Sequence, residues 1–136
     1  MPDETELTDG EAGEPRWGER EIGAGPSLDA LFRSLANPTR RRILGHLLEQ
    51  EKATFEELTD VLVGWVASEG VVVGPDERER IEIGLYHEHL PVLADSDLVE
   101  YDTETNDVSL GTLPDDIAEL IRLSNRYERE ASADSA

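Results

Sequence analysis

Cysteine is absent from the chain, which excludes disulfides, zinc-thiolate sites and cysteine nucleophiles together, along with the usual marks of a secreted scaffold. Lysine is nearly absent: of the 12 cations, eleven are Arg and the other is Lys52. Long hydrophobic runs are missing as well. The longest apolar stretch, Val61 to Ala67, falls far short of the ~20 residues that cross a bilayer. The start Met1-Pro2-Asp3-Glu4 is acidic where a signal peptide is basic. No nucleotide-binding loop and no catalytic triad is visible, so the chain reads as a soluble, cytoplasmic protein that is not an enzyme, with no cofactor and no membrane contact.

What is present is acid. The chain carries 32 Asp plus Glu against 12 Lys plus Arg, a formal charge of −20 over 136 residues, and it is still 38% hydrophobic. That length fits one domain, and the apolar content suffices for a core. Such a core buries ~65% of the unfolded chain's surface without staples. Residues 1–21 hold eight acids and two Arg, which leaves 24 acids against 10 cations in the remainder. The folded part is therefore itself strongly acidic. Its surface repels itself in dilute buffer, and molar salt, with a Debye length of ~3 Å, screens that repulsion. A salt-rich cytoplasm fits this pattern best, and an acidic partner-binding protein from a low-salt cell is the alternative. Net charge argues against DNA, whose binding ordinarily neutralises phosphates with Lys and Arg, but a local face can differ from the whole.

Residues 1–26 hold five Gly and three Pro among acids and read as a flexible N-terminal arm. From Ser27 the pattern changes. Leu28, Leu31, Phe32 and Leu35 recur at helical spacing behind Ser27 as N-cap. Asn37-Pro38 starts a second helix with Ile43, Leu44, Leu47 and Leu48 on one face. Thr54 to Glu57 has the form of a capping box before a third helix to about Gly70, and a fourth begins near Asp76 behind Gly74-Pro75. Leu98 to Asp102 and Asp107 to Leu110 are β-prone runs that predict a hairpin. Pro114 opens a last helix. The predicted division is an arm over 1–26, a domain over 27–113, a helix over 114–131 and a frayed tail over 132–136.

The run Leu35-Ala36-Asn37-Pro38-Thr39-Arg40-Arg41-Arg42-Ile43-Leu44 resembles the opening signature of winged helix-turn-helix regulators of the arsenic-repressor (ArsR-like) type. Leu90-Pro91-Val92-Leu93-Ala94-Asp95-Ser96-Asp97-Leu98-Val99 resembles the end of their recognition helix and the approach to the wing. Tyr86-His87-Glu88-His89-Leu90-Pro91 is similar to a run in small acidic winged-helix proteins of haloarchaea. Together the resemblance spans roughly Leu28 to Leu110. It implies a mainly α fold with a β-hairpin wing: a winged helix-turn-helix with an extended segment before the recognition helix and a C-terminal dimerisation helix. It also implies a homodimer that reads double-stranded DNA with the helix around 76–90 and regulates transcription.

Laid out at 100° per residue from Ile81, the positions Ile83, Leu85, Tyr86, His89, Leu90 and Leu93 share one side, and Arg80, Gly84, His87, Glu88 and Pro91 the opposite arc. Arg80 can pair with a phosphate or a guanine edge, His87 can donate to either, Gly84 lets backbone come close, and Glu88 can accept from a cytosine amino group. Arg78 on the same helix, and Thr103, Thr105 and Asn106 at the hairpin tip, complete the candidate DNA contacts. Three features depart from the family. Glu88 puts an anion where a neutral or basic reader is usual, and Asp102, Glu104 and Asp107 surround a tip that has no cation. Leu58 to Leu90 spans 32 positions, about twice a minimal helix-turn-helix, so the third helix is long or an extra element precedes the reading helix. At molar salt counterion release yields little, and apolar burial, hydrogen bonds and shape carry affinity. The alternative reading is a protein-protein interaction module whose Arg80, His87 and Glu88 face meets another protein. The stripe Ile117, Leu120, Ile121 and Tyr127 is the expected dimer interface.

Arg40, Arg41 and Arg42 can be read as a phosphate clamp, but the simpler expectation is pairing with nearby acids such as Asp29, Glu49 or Glu51. His46, His87 and His89 do not predict a metal site, because helical residues two apart point ~200° apart. His89 is expected to be partly buried and hydrogen-bonded, His87 exposed, and Trp65 in the core.

Overall fold

The computed structural model describes residues 26–135, with side chains as far as Ala131, so the predicted arm lies outside the described residues apart from Pro26. Helix α1 (Leu28–Leu35) starts on Ser27, whose Oγ accepts from the Ala30 N–H at 3.1 Å. Helix α2 (Pro38–Gln50) starts on Asn37, whose Oδ1 accepts from the N–H groups of Thr39 and Arg40. Pro38 sits at the first helical position, where its missing N–H would have had no partner anyway. Helix α3 (Phe55–Ser68) has the predicted capping box, with Thr54 and Glu57 each satisfying the other's backbone.

Between α2 and α3 lies a strand that the sequence pattern does not announce, β1 (Lys52–Thr54). It pairs antiparallel with β3 (Asp107–Leu110), which pairs in turn with β2 (Val99–Asp102), giving the order β1-β3-β2. Ala53 and Tyr101 both stand opposite Val108 of the central strand. The predicted hairpin thus supplies the central strand β3 and the edge strand β2 of a three-stranded sheet. Ala53, Val99 and Val108 point into the core, while Lys52, Thr54 and Glu100 face solvent, as the period of two requires. Just past β3 the chain turns tightly against the start of β2. The Gly111 N–H donates to the Leu98 carbonyl at 2.8 Å, and a Cβ there would stand 2.7 Å from the Asp97 carbonyl oxygen, so only glycine fits.

The segment expected to hold the reading helix is one rod with a wide turn inside it: α4 (Pro75–Gly84), a π-helical turn (Leu85–His89) and α5 (Leu90–Asp95). The Leu90 N–H bonds to the Leu85 carbonyl, five residues back. Pro91 supplies a reason, since it has no N–H for the carbonyl of His87 and its ring would press on that carbonyl in an uninterrupted α-helix. The wide turn sets the downstream half back by about one residue, ~100°. Leu85, His89, Leu90 and Leu93 therefore all reach the interior. Two residues that a straight wheel places on the buried side do not: Ile83 is 52% and Tyr86 47% exposed. The extra length between Leu58 and Leu90 resides in the 14 residues of α3 and the 10 of α4, joined by the short connector 69–74, and not in an added element.

Helix α6 (Asp115–Ser135) runs on through 132–135, where a frayed tail was predicted; Ala131 and Ala133 are strong helix formers. It lies against α2. Ile121 is fully buried and Ile117 and Leu120 pack beside it against the core. That corrects the expected dimer stripe, because Ile121 is spent within its own chain while Tyr127 stays 72% exposed. Among the described residues no helix is long and apolar enough to cross a membrane.

Candidate nucleic-acid interface

The π-turn is held from beneath by Arg40, which is buried. Its Nε donates to the Ser34 carbonyl at 3.1 Å and its Nη2 to the Arg33 carbonyl at 2.9 Å. These carbonyls lie in the last turn of α1, where the helical ladder runs out; that of Arg33 also accepts from the Ala36 N–H, at 3.4 Å. Nη1 lies 3.3 Å from His89 Nδ1. A guanidinium only donates, so His89 Nδ1 accepts and the ring is neutral with its proton on Nε2. Burial, opposed by Glu88 and reinforced by Arg40, holds the His89 pKa below the ordinary imidazole value. The predicted buried, bonded His89 is thus the link between α1, α2 and the π-turn.

The other two arginines of that run also meet partners inside the fold that the sequence does not single out. Arg41 forks onto Glu128 of α6, Nε to Oε1 at 3.0 Å and Nη2 to Oε2 at 2.9 Å, and donates to the Leu35 carbonyl at 2.6 Å. Arg42 lies over the Trp65 ring, 4.9 Å from its centroid. Asp29, Glu49 and Glu51 are not the partners of these three arginines, because the start of α2 abuts the ends of α1 and α6. Trp65 packs against the core from a half-buried position.

On α4 the candidate residues divide. Arg78 is tied to α3, with Nη2 2.9 Å from Asp60 Oδ1 and Nε 3.8 Å from Glu82 Oε2. Arg80 is 74% exposed and pairs with Glu77 at 2.7 Å, one turn back on its own helix. Arg80, Gly84 and Glu88 line a cleft of about 250 Å³ that reaches Thr39 of α2 and Trp65 of α3. A Cβ on Gly84 would meet only the His89 ring, at 4.0 Å, so its smallness serves no contact inside the chain. His87 is exposed and is not part of that cleft's lining, its ring 4.8 Å from that of Tyr86.

At the hairpin tip Thr103, Thr105 and Asn106 are exposed, as expected, yet two of them already serve the turn. Thr105 Oγ1 accepts from the Asp107 N–H at 3.3 Å. Asn106 takes a positive φ of 63°, a conformation Asn tolerates well. Its Oδ1 accepts from the Tyr101 hydroxyl at 3.4 Å, and its carbonyl accepts from the first N–H of α3, on Phe55, at 2.8 Å. The acids at the tip are structural too: Asp102 Oδ1 accepts from the Glu104 N–H at 2.9 Å, and Asp107 lies 3.5 Å from Lys52.

An aromatic cluster joins the two halves of this surface. Phe55, Tyr86 and Tyr101 stand 6.3–6.4 Å apart, ring centre to ring centre. They connect the start of α3, the π-turn and β2, so the hairpin is braced directly against the helix. The sequence gives no local signal for this, because the three residues lie on separate elements. Among the described residues no group of three or more His, Cys, Asp or Glu is placed to hold a metal ion.

Residues 32–109 match a family model described as a domain of unknown function, DUF7344. The match covers more than half of the chain, from within α1 to β3. No curated protein and no solved structure matches the chain.

Proposed function

The chain belongs to the DUF7344 family, and from that premise we propose that it is a cytoplasmic, winged-helix, DNA-binding transcriptional regulator of a salt-rich cell, resembling ArsR-like regulators and working as a homodimer. The observation that carries the reading is the brace between Tyr86 and Tyr101, which fixes a β-hairpin beside an exposed stretch of helix. A helix and an adjoining hairpin presented together on a helical core suit a major groove and its flank. In this reading Arg80 and His87 reach the DNA from the helix, Gly84 permits close approach, Glu88 discriminates, and Thr103 contacts a phosphate from the hairpin. Arg78, Thr105 and Asn106 hold the surface in shape. The dimer face centres on Tyr127 and Leu123, which with Leu35 line a groove of about 580 Å³.

A second reading, a protein-protein interaction module that does not bind DNA, is favoured by one observation: both α4 arginines are paired with acids, while Ile83 and Tyr86 stay exposed beside them. Capture of genomic fragments by the full chain in 1–2 M KCl, followed by gel shifts, separates the two. For a DNA reader, Arg80→Ala costs about 1–3 kcal/mol of binding. Glu88→Gln tightens nonspecific binding and relaxes preference at one base pair. Wild-type protein that binds no genomic fragment at any salt overturns the regulator reading in favour of the module.

A further inference from the structure

A groove of about 430 Å³ between α2 and α6 reverses the charge of the rest of the molecule. In a chain of net charge −20, Arg41 and Arg42 from α2 and Arg122, Arg126 and Arg129 from α6 converge on it. Glu49 and Glu128 are the carboxylates of its lining, and Glu128 is already held in the fork of Arg41.

Several polar nitrogens there are unspent. Arg42 Nε and His46 Nε2 are buried without a hydrogen-bond partner, and the carboxylate facing His46, Glu57, stands off at 3.8 Å. Arg126 and Arg129 make no ion pair among the described residues, and Arg122 reaches only Glu119, at 3.8 Å. The two helices also approach closely: a Cβ on Gly45 would stand 2.8 Å from Asn125 Nδ2, so glycine leaves room for an amide donor between them. Trp65 beneath Arg42 fixes the plane of that guanidinium.

We propose that this groove binds a small, multiply charged phosphate-bearing anion. Guanidinium forks match phosphate oxygens two at a time, and the volume lies within the range of small-molecule sites, ~300–1,000 Å³. A duplex would need cations spread along an extended face, whereas here they gather in one concavity with exposed Glu119 and Glu130 nearby on the same helix. The site is independent of the DNA reading of α4, because it shares no residue with it.

The test uses the full chain in 1 M KCl, with pyrophosphate exchanged for KCl at constant ionic strength. The expected result is a saturable rise in Tm of about 3–6 °C and a saturable change in Trp65 fluorescence, read in a Trp17→Phe background. The double variant R122A/R126A, altered at exposed positions where Ala suits a helix, should keep its fold and lose both responses. Glu49→Gln, which removes a lining anion, should tighten pyrophosphate binding at least twofold. No Tm rise with pyrophosphate, or an equal rise in R122A/R126A, overturns the proposal. Binding of a short DNA duplex that is lost in R122A/R126A while pyrophosphate has no effect also overturns it, and assigns the groove to a nucleic-acid backbone.

Discussion

A histidine nitrogen that accepts from an arginine cannot also carry a proton. For His89, protonation would set an imidazolium against the Arg40 guanidinium 3.3 Å away and break the contact that joins α2 to the π-turn. The charged groups facing the ring are Arg40, which opposes its protonation, and Glu88, 3.9 Å from Nε2, which favours it. Burial is the largest influence, so the folded pKa lies below the ordinary one. The sign of the pH effect follows. As pH falls through the ordinary value, about 6.5, the unfolded chain takes up its proton first. Stability is therefore full above that pH and is lost on the way down to the folded pKa. His89→Gln keeps an acceptor for Arg40 and removes the titration. Between pH 7.5 and 5.5 the wild type should lose more Tm than this variant. Equal losses would mean that His89 does not carry the pH dependence.

At the scale of elements, the tie between α2 and α6 rests on Arg41 and Glu128, 87 positions apart in sequence. The side chains are 21% and 32% exposed, so the fork is better shielded than a surface pair and less so than a core pair. The hydrogen bond from Arg41 is the main cause that holds the Glu128 carboxyl below the usual carboxylate range. Its contribution is present above that range and fades as pH falls into it. Glu128→Ala should cost about 0.5–1.5 kcal/mol. Amide exchange should quicken in the second half of α6 and stay unchanged in α4 and α5; quickening across all helices would make the tie a global one.

This pair also marks where sequence reasoning stops. Ser27, Asn37 and Thr54 were legible as helix starts because a cap acts within three residues of itself. The strand β1 was not, because Lys52-Ala53-Thr54 is too short to show alternation and exists through its pairing with β3. Pro91 stood in plain sight, but a wheel of uniform rotation ignores the wider turn it favours, and so misplaced Ile83 and Tyr86. Exposure of Arg80, His87 and Glu88 follows from periodicity. The partner Asp60 of Arg78, and the ring cluster around Tyr86, depend on how two elements pack, which no single segment encodes.

For the whole molecule the deciding quantity is the distribution of charge. Arg40 is buried, Arg41 and Arg78 are paired, and much of the remaining cation charge gathers between α2 and α6. The other surfaces, including the α4 start with Asp76, Glu77 and Glu79 and the hairpin tip with Asp102 and Glu104, are dominated by acids. Salt acts on both sides of this balance. It weakens the exposed pairs, such as Arg80 with Glu77 and Lys52 with Asp107, each worth about 0.2–1 kcal/mol at most. It also screens repulsion among acids that outnumber cations by 20 over the chain. The Debye length falls from ~10 Å at 0.1 M to ~3 Å at 1 M, which removes repulsion between neighbouring carboxylates but leaves groups in direct contact partly coupled. Relief of repulsion should therefore win. Tm should rise steadily between about 0.1 M and 2 M KCl, as read by thermal melts, with the same rise in Arg80→Ala because that exposed pair adds little. A flat or falling Tm would show that the acids are already compensated locally, and would remove the argument for a salt-rich cytoplasm.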